Sequence, residues 1–120
     1  MRNDESRLQR ACVTWFRLQY PRYRRLLFAV PNGGARSAVT GAILKAEGVV
    51  PGVADLILFL PRGGRHALCI EMKTERGRQS ERQREWQEAV ELEGYEYALC
   101  RSLDDFVRVV RCYVNRSINT

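Results

Sequence analysis

The stretch from Asp55 to Lys73 reads DLILFLPRGGRHALCIEMK. Two apolar runs flank Pro61-Arg62-Gly63-Gly64-Arg65, a composition that favours a turn. The pattern predicts strands over 55–60 and 66–73, joined as a hairpin. Along the first strand Leu56, Leu58 and Leu60 point one way, and Ile57 and Phe59 the other. Both faces are apolar, so helices are expected on both sides of the sheet.

A five-residue loop, Pro61 to Arg65, sets Leu60 opposite His66. Counting back along both strands sets Asp55 opposite Glu71, on one face. Opposed β-carbons lie about 4.5–5.5 Å apart, close enough for two carboxylates to share an ion, and without one the like charges weaken the pairing. An oxygen-rich site of this kind suits Mg2+ or Mn2+. Lys73 lies two residues beyond Glu71 and shares its face. Its ammonium can stabilise phosphoryl charge or orient a water. Plainer roles stand beside these: Glu71 and Lys73 as an exposed ion pair, and Asp55 as a cap for the turn after Gly52. A register slip of one residue would send one carboxylate to the opposite face.

Upstream, Leu8, Ala11, Cys12, Trp15 and Phe16 recur at helical spacing, which predicts an amphipathic helix over 4–20, capped by Asn3 or Asp4 and ended by Pro21. Residues 26–30 read as a strand stopped by Pro31. The turn Pro31-Asn32-Gly33-Gly34-Ala35, a helix over 37–47 ended by Gly48, and a second turn, Val49-Val50-Pro51-Gly52, lead to Asp55. Downstream, Ser80-Glu81-Arg82-Gln83 has the spacing of a capping box. The helix it opens carries Trp86, Ala89 and Val90 on one face and ends at Gly94. A strand over 95–101 follows, then a cap at Ser102 to Asp105 and a last helix through about Tyr113. The order α, β, α, β, β, α, β, α fits one three-layer α/β domain over residues 1–120.

A chain 45% hydrophobic and 28% charged is neither disordered nor collagen-like. Its net charge of +6 favours polyanionic partners. Eighteen of the 20 basic residues are Arg, the exceptions being Lys45 and Lys73. Arg forks suit phosphate, although a genomic bias accounts for the count equally well. The four cysteines, Cys12, Cys69, Cys100 and Cys112, form no C-x-x-C pair, which argues against zinc. Each lies in an apolar periodic segment and is expected to be a buried free thiol. The charged start holds no apolar leader, and the longest apolar run, Leu56 to Leu60, is too short to span a bilayer. An intracellular, cytoplasmic protein is expected.

Asp55, followed after a hairpin by Glu71-x-Lys73, resembles the P-D…(D/E)-x-K signature of restriction-endonuclease-like nucleases. A longer string is more specific: Gly48-Val49-Val50-Pro51-Gly52-Val53-Ala54-Asp55-Leu56, Ile70-Glu71-Met72-Lys73, Ser80-x-x-Gln83-x-x-Trp86 and Gly94-Tyr95. With Pro31-Asn32-Gly33-Gly34 and Glu5-x-x-x-Gln9, it resembles the VRR-NUC (virus-type replication-repair nuclease) family in its standalone phage or bacterial form, over residues 5–105. Ala54 departs from the proline that many members carry before the aspartate. The resemblance implies a restriction-endonuclease-like three-layer α/β/α domain with a small mixed sheet flanked by helices. It also implies a Mg2+- or Mn2+-dependent endodeoxyribonuclease that cuts branched DNA, such as four-way (Holliday) junctions, as a homodimer serving DNA repair. By the same resemblance Asp55, Glu71 and the carbonyl of Met72 hold the metal, and Lys73 is the catalytic lysine. Gln83 matches the glutamine of the downstream helix, and Glu5 matches an N-terminal glutamate that approaches the metal, often through water.

Several of these residues have a second reading. Gln83 is the reciprocal residue of the capping box. Glu5 suits the dipole of a first helical turn. Asn32, Gly33 and Gly34 either present backbone N–H groups to phosphate or only turn the chain. Arg76, Arg78, Arg82 and Arg84 either line a DNA approach or form a solvated helix start. Trp86 is expected in the core rather than as a base-stacking platform. His66 falls roughly 17 Å along the hairpin from Asp55, too far to act as its general base. A non-catalytic DNA-binding module on the same basic surface is the alternative function. A metal-independent RNA nuclease lacks its histidine acid–base set here.

Overall fold

The computed structural model describes residues 2–31 and 38–118. Helix α1 (Arg2–Gln19) starts two residues before the expected position, so Asn3 and Asp4 lie inside it. It stops before Pro21, which opens a 3-10 turn, Pro21–Tyr23. Then come β1 (Leu27–Ala29), α2 (Ala38–Ala46), β2 (Leu56–Leu58), β3 (Leu68–Met72), α3 (Glu81–Leu92), β4 (Glu96–Cys100) and α4 (Leu103–Val114). This is the expected order of elements. The Asn32-Gly33-Gly34 segment lies outside the described residues.

The sheet runs β1-β2-β3-β4. The first two pairings are antiparallel and the third is parallel. Between β2 and β3, Leu56 faces Ile70, Ile57 faces Cys69 and Leu58 faces Leu68. That register, carried one residue past the ladder, sets Asp55 against Glu71, as the loop length anticipates. The strands are shorter than 55–60 and 66–73 because the chain leaves the hairpin early. The Phe59 N–H donates to the Leu26 carbonyl at 2.7 Å, and the His66 N–H to that of Gly94 at 3.0 Å. Arg62 and Arg65 close the tip instead, exchanging backbone bonds of 3.1 and 2.8 Å. Arg62 itself is buried, with Nε on the Val114 carbonyl at 3.1 Å and Nη2 on the Tyr23 hydroxyl at 3.2 Å.

Helices α1 and α4 cover one face. Cys12, Phe16, Phe106, Val110 and Tyr113 form one core with Leu56, Leu58, Leu68, Ile70 and Met72. Each large apolar side chain buried this way contributes about 1.5–3 kcal/mol. Helix α3 lies against β4 on the other face, with Trp86 packed 6.2 Å from Tyr97. Trp86 is half-buried rather than in the core, and Ala89, expected on the packed face, is exposed. Cover on both faces therefore holds for β3, which is buried throughout, but not for the β1–β2 edge. There Phe28 and Phe59 stand 45% and 63% exposed, because α3 spans only the far half of the sheet.

Cys12, Cys69 and Cys100 are buried free thiols, but Cys112 is exposed. It falls off the stripe of α4 defined by Phe106, Val110 and Tyr113. Burial pushes the Cys12 and Cys100 thiols up to about 12 and Cys69 to about 11. Among the described residues, no helix is long and apolar enough to cross a membrane.

Candidate active site

The turn before Asp55 rests on the first turn of α3. Gly52 sits at φ +88, and a Cβ there would come within 2.5 Å of the Arg82 carbonyl oxygen. A side chain is excluded on both counts. Beyond this turn the chain enters β2 between its two neighbours, and the Asp55 carbonyl accepts from the Val30 N–H at 2.9 Å. The Asp55 carboxylate accepts the Met72 N–H on Oδ2 at 2.7 Å. Asp55 is thus pinned by β1 through its backbone and by β3 through its side chain. Burial raises its carboxyl above the usual range. The Met72 N–H opposes that rise, Glu71 and Glu5 add to it, and Lys73 opposes it.

Glu71 is fully buried in β3. Its Oε1 accepts from the Tyr97 hydroxyl and from Gln79 Nε2, the latter at 3.3 Å. Its Oε2 is buried without a hydrogen bond among the described residues. Lys73 Nζ, 14% exposed, lies 3.3 Å from that oxygen. This is a charge contact whose alignment falls short of a hydrogen bond. Gln79 is held in turn by Gln87 Oε1 at 2.8 Å, and Gln87 by Glu91 at 3.2 Å. Burial and the bond to Glu71 raise the Tyr97 phenol above its ordinary value, so it remains a donor. Sequence reasoning missed both Tyr97 and Gln79. Tyr97 pairs with Cys69, which puts it on the Glu71 face, but that parallel register cannot be read from the sequence.

A cleft of about 1020 Å³ opens beside Asp55, lined also by Glu5, Arg10, Arg17, Arg82 and Gln83. Three distant parts of the chain therefore bring Glu5, Asp55 and Gln83 to one space. Gln83 does form the capping box: its Oε1 accepts from the Ser80 N–H at 2.8 Å, and Ser80 Oγ from the Gln83 N–H at 3.2 Å. Its Nε2 engages no acceptor among the described residues, so capping leaves a donor for the cleft. Arg76, Arg78 and Arg84 line a second basin, of about 810 Å³, with Arg101. Arg101 Nη1 donates to the carbonyls of Thr74 and Gly77 at 2.9 and 2.6 Å, fastening the segment that follows Lys73. His66 packs on Tyr95 with ring centres 5.2 Å apart and does not line the cleft.

The donor set suits a hard divalent cation. Two carboxylates face one ammonium, which leaves an excess of negative charge, and one buried carboxylate oxygen lacks a donor. The Met72 N–H points at Asp55, and an extended residue aims its carbonyl toward the same neighbouring strand, so the Met72 carbonyl is on that side. Among the described residues no three His, Cys, Asp or Glu side chains group as metal ligands. Glu5 shares the cleft without joining Asp55 and Glu71 in such a cluster.

A mixed sheet between helices, with two acids and a lysine at the junction of two strands, defines a restriction-endonuclease-like nuclease fold. The VRR-NUC domain family model matches residues 2–104. The chain belongs to the VRR-NUC family. A solved structure titled "VRR_NUC domain protein" superposes with a TM-score of 0.83 at 25% identity, covering 94% of this chain and 89% of that one. No curated protein matches the chain.

Proposed function

We propose that this VRR-NUC domain is a metal-dependent structure-specific endonuclease that hydrolyses phosphodiester bonds in branched DNA, four-way junctions included. The observation that carries the reading is that Asp55 and Glu71 lie opposite each other at the ends of β2 and β3, with the unsatisfied Glu71 Oε2 against Lys73. Asp55, Glu71 and the Met72 carbonyl would hold Mg2+ or Mn2+, and Glu5 would reach the ion through water. A bound divalent cation supplies Lewis acidity toward the phosphate and countercharge for the transition state. Lys73 places an ammonium where charge builds on the phosphoryl oxygens. Gln83, whose Nε2 meets no acceptor among the described residues, offers it to a phosphate oxygen across the cleft. Arg10, Arg17 and Arg82 on one side, and Arg76, Arg78 and Arg84 on the other, give phosphates two basic approaches.

A four-way junction offers two equivalent strands, and a two-fold dimer would present two sites to them. We therefore propose a homodimer, acting in DNA repair within the cell. Sedimentation at assay concentration should show the dimer, and a monomer that still cuts junctions would overturn that part.

The direct test is a labelled panel of single-stranded, duplex, flap and four-way DNA, with Mg2+, Mn2+ or EDTA. Cleavage that needs the ion and favours branched substrates is expected. Binding without product in either metal would instead identify a DNA-binding module.

A further inference from the structure

We propose that Tyr97 and Gln79 are positioning residues that hold Glu71 so that only its Oε2 faces a divalent cation. This rests on the metal-dependent reading above and concerns how Glu71 serves it. The two oxygens of Glu71 are not equivalent. Oε1 takes the Tyr97 hydroxyl and a Gln79 N–H at 3.3 Å, which uses both its lone pairs. Among the described residues Oε2 has no hydrogen bond, is buried, and meets only the Lys73 ammonium at 3.3 Å. A buried polar atom left unsatisfied is costly, so its persistence points to an absent partner.

The fixing is built from two elements. The terminal torsion of a glutamate is soft, so an unheld carboxylate swings easily. Tyr97 anchors Oε1 from β4. Gln79 anchors it from the loop before α3, one N–H going to Gln87 at 2.8 Å and the other divided between Glu71 Oε1 and the Tyr97 oxygen at 3.4 Å. Gln87 is itself held by Glu91, one turn along α3, at 3.2 Å. The chain Glu91, Gln87, Gln79, Glu71 thus ties a metal-facing carboxylate to the helix that also carries Gln83. Outer partners of this kind set ligand orientation, and their loss typically weakens metal affinity by about 10–100-fold.

The test is a Mn2+ titration, with free Mn2+ read by electron paramagnetic resonance, on the wild type, Tyr97→Phe, Gln79→Ala and Asp55→Ala. Circular dichroism checks the fold of each. We expect Asp55→Ala to lose binding, and Tyr97→Phe and Gln79→Ala to bind about 10–100-fold more weakly. Excess Mn2+ should then return kcat to the wild-type value with the KM for DNA unchanged, which a merely structural lesion would not allow. If both variants bind as tightly as the wild type while Asp55→Ala does not, the positioning role is overturned and the nuclease reading stands. If Asp55→Ala binds like the wild type, or the wild type binds no Mn2+, the metal reading falls and this proposal with it. Should Tyr97→Phe fail to fold, Gln79→Ala decides alone, because its side chain sits in a partly exposed loop.

Discussion

Lys73 Nζ stands 3.3 Å from Oε2 of the fully buried Glu71. It is the only cation the structure places against that carboxylate among the described residues. Removing one partner of a buried pair strands the other, at a typical cost of about 3–5 kcal/mol. Lys73 keeps some solvent contact, so Lys73→Met should lower stability by about 3 kcal/mol in urea unfolding of the metal-free protein. Cleavage at saturating metal should fall at least about 100-fold. A variant as stable as the wild type would show that the ammonium does not neutralise Glu71.

Gly52 and Gly48 both have positive φ, but only Gly52 lacks room for a side chain. Gly52→Ala must push a Cβ against the α3 backbone, whereas Gly48→Ala meets nothing within 4 Å. We expect a loss of about 1 kcal/mol at Gly48 from the backbone conformation alone, and at least about 2–3 kcal/mol at Gly52. Because the same turn delivers Asp55, any folded Gly52→Ala protein should also cleave poorly. Equal stability losses at the two positions would contradict the close approach.

Three thiols are buried and one is exposed. With Cys12 and Cys100 raised to about 12 and Cys69 to about 11, the folded protein keeps protons that an unfolded chain gives up above 9.0. Unfolding free energy should therefore be at its full value below pH 9 and fall as pH rises toward 11–12, by about 1.4 kcal/mol per unit for each thiol. The raised Tyr97 and Tyr113 phenols act in the same direction at higher pH. Native protein at pH 8 should react with Ellman's reagent at Cys112 alone, and Cys112→Ser should abolish that reaction. Rapid reaction of a second thiol would contradict the packing.

Arg10 and Arg17 lie seven residues apart on α1 and both line the cleft beside Asp55. If they meet phosphates, each substitution should weaken DNA binding at every sequence and flatten its salt dependence, by about 0.9 in the log–log slope for duplex. Asp55→Ala protein, unable to cut, is the background in which to measure this by fluorescence anisotropy. An unchanged slope in Arg10→Ala with Arg17→Ala would place the DNA on the other basin.

The opposition of Asp55 and Glu71 was legible because the register between the two strands keeps the pairing that the residue count between them gives, although the ladder stops at Leu58 and Leu68. The shorter ladder was not, since Phe59 and His66 find partners just before β1 and just before β4, which local pattern does not reveal. Tyr97 and Gln79 escaped for a related reason. Their place beside Glu71 depends on the parallel pairing of β3 with β4 across a helix, and on a loop without periodicity. Gln83 serves both cap and cleft because its two ends act separately, Oε1 on Ser80 and Nε2 without an acceptor among the described residues. Cys112 and Ala89 are exposed because apolar neighbours in sequence need not share the buried stripe of a helix. The bare Phe28 and Phe59 reflect where α3 ends over the sheet, a matter of packing rather than pattern.

Asp55 and Glu71 are proposed to hold one divalent ion between them. Anomalous diffraction from crystals soaked in Mn2+ would locate that ion. We expect a peak in contact with an Asp55 carboxylate oxygen, Glu71 Oε2 and the Met72 carbonyl, absent from Asp55→Ala crystals. A peak elsewhere, or none, in crystals of protein that still cuts DNA with Mn2+ would contradict it.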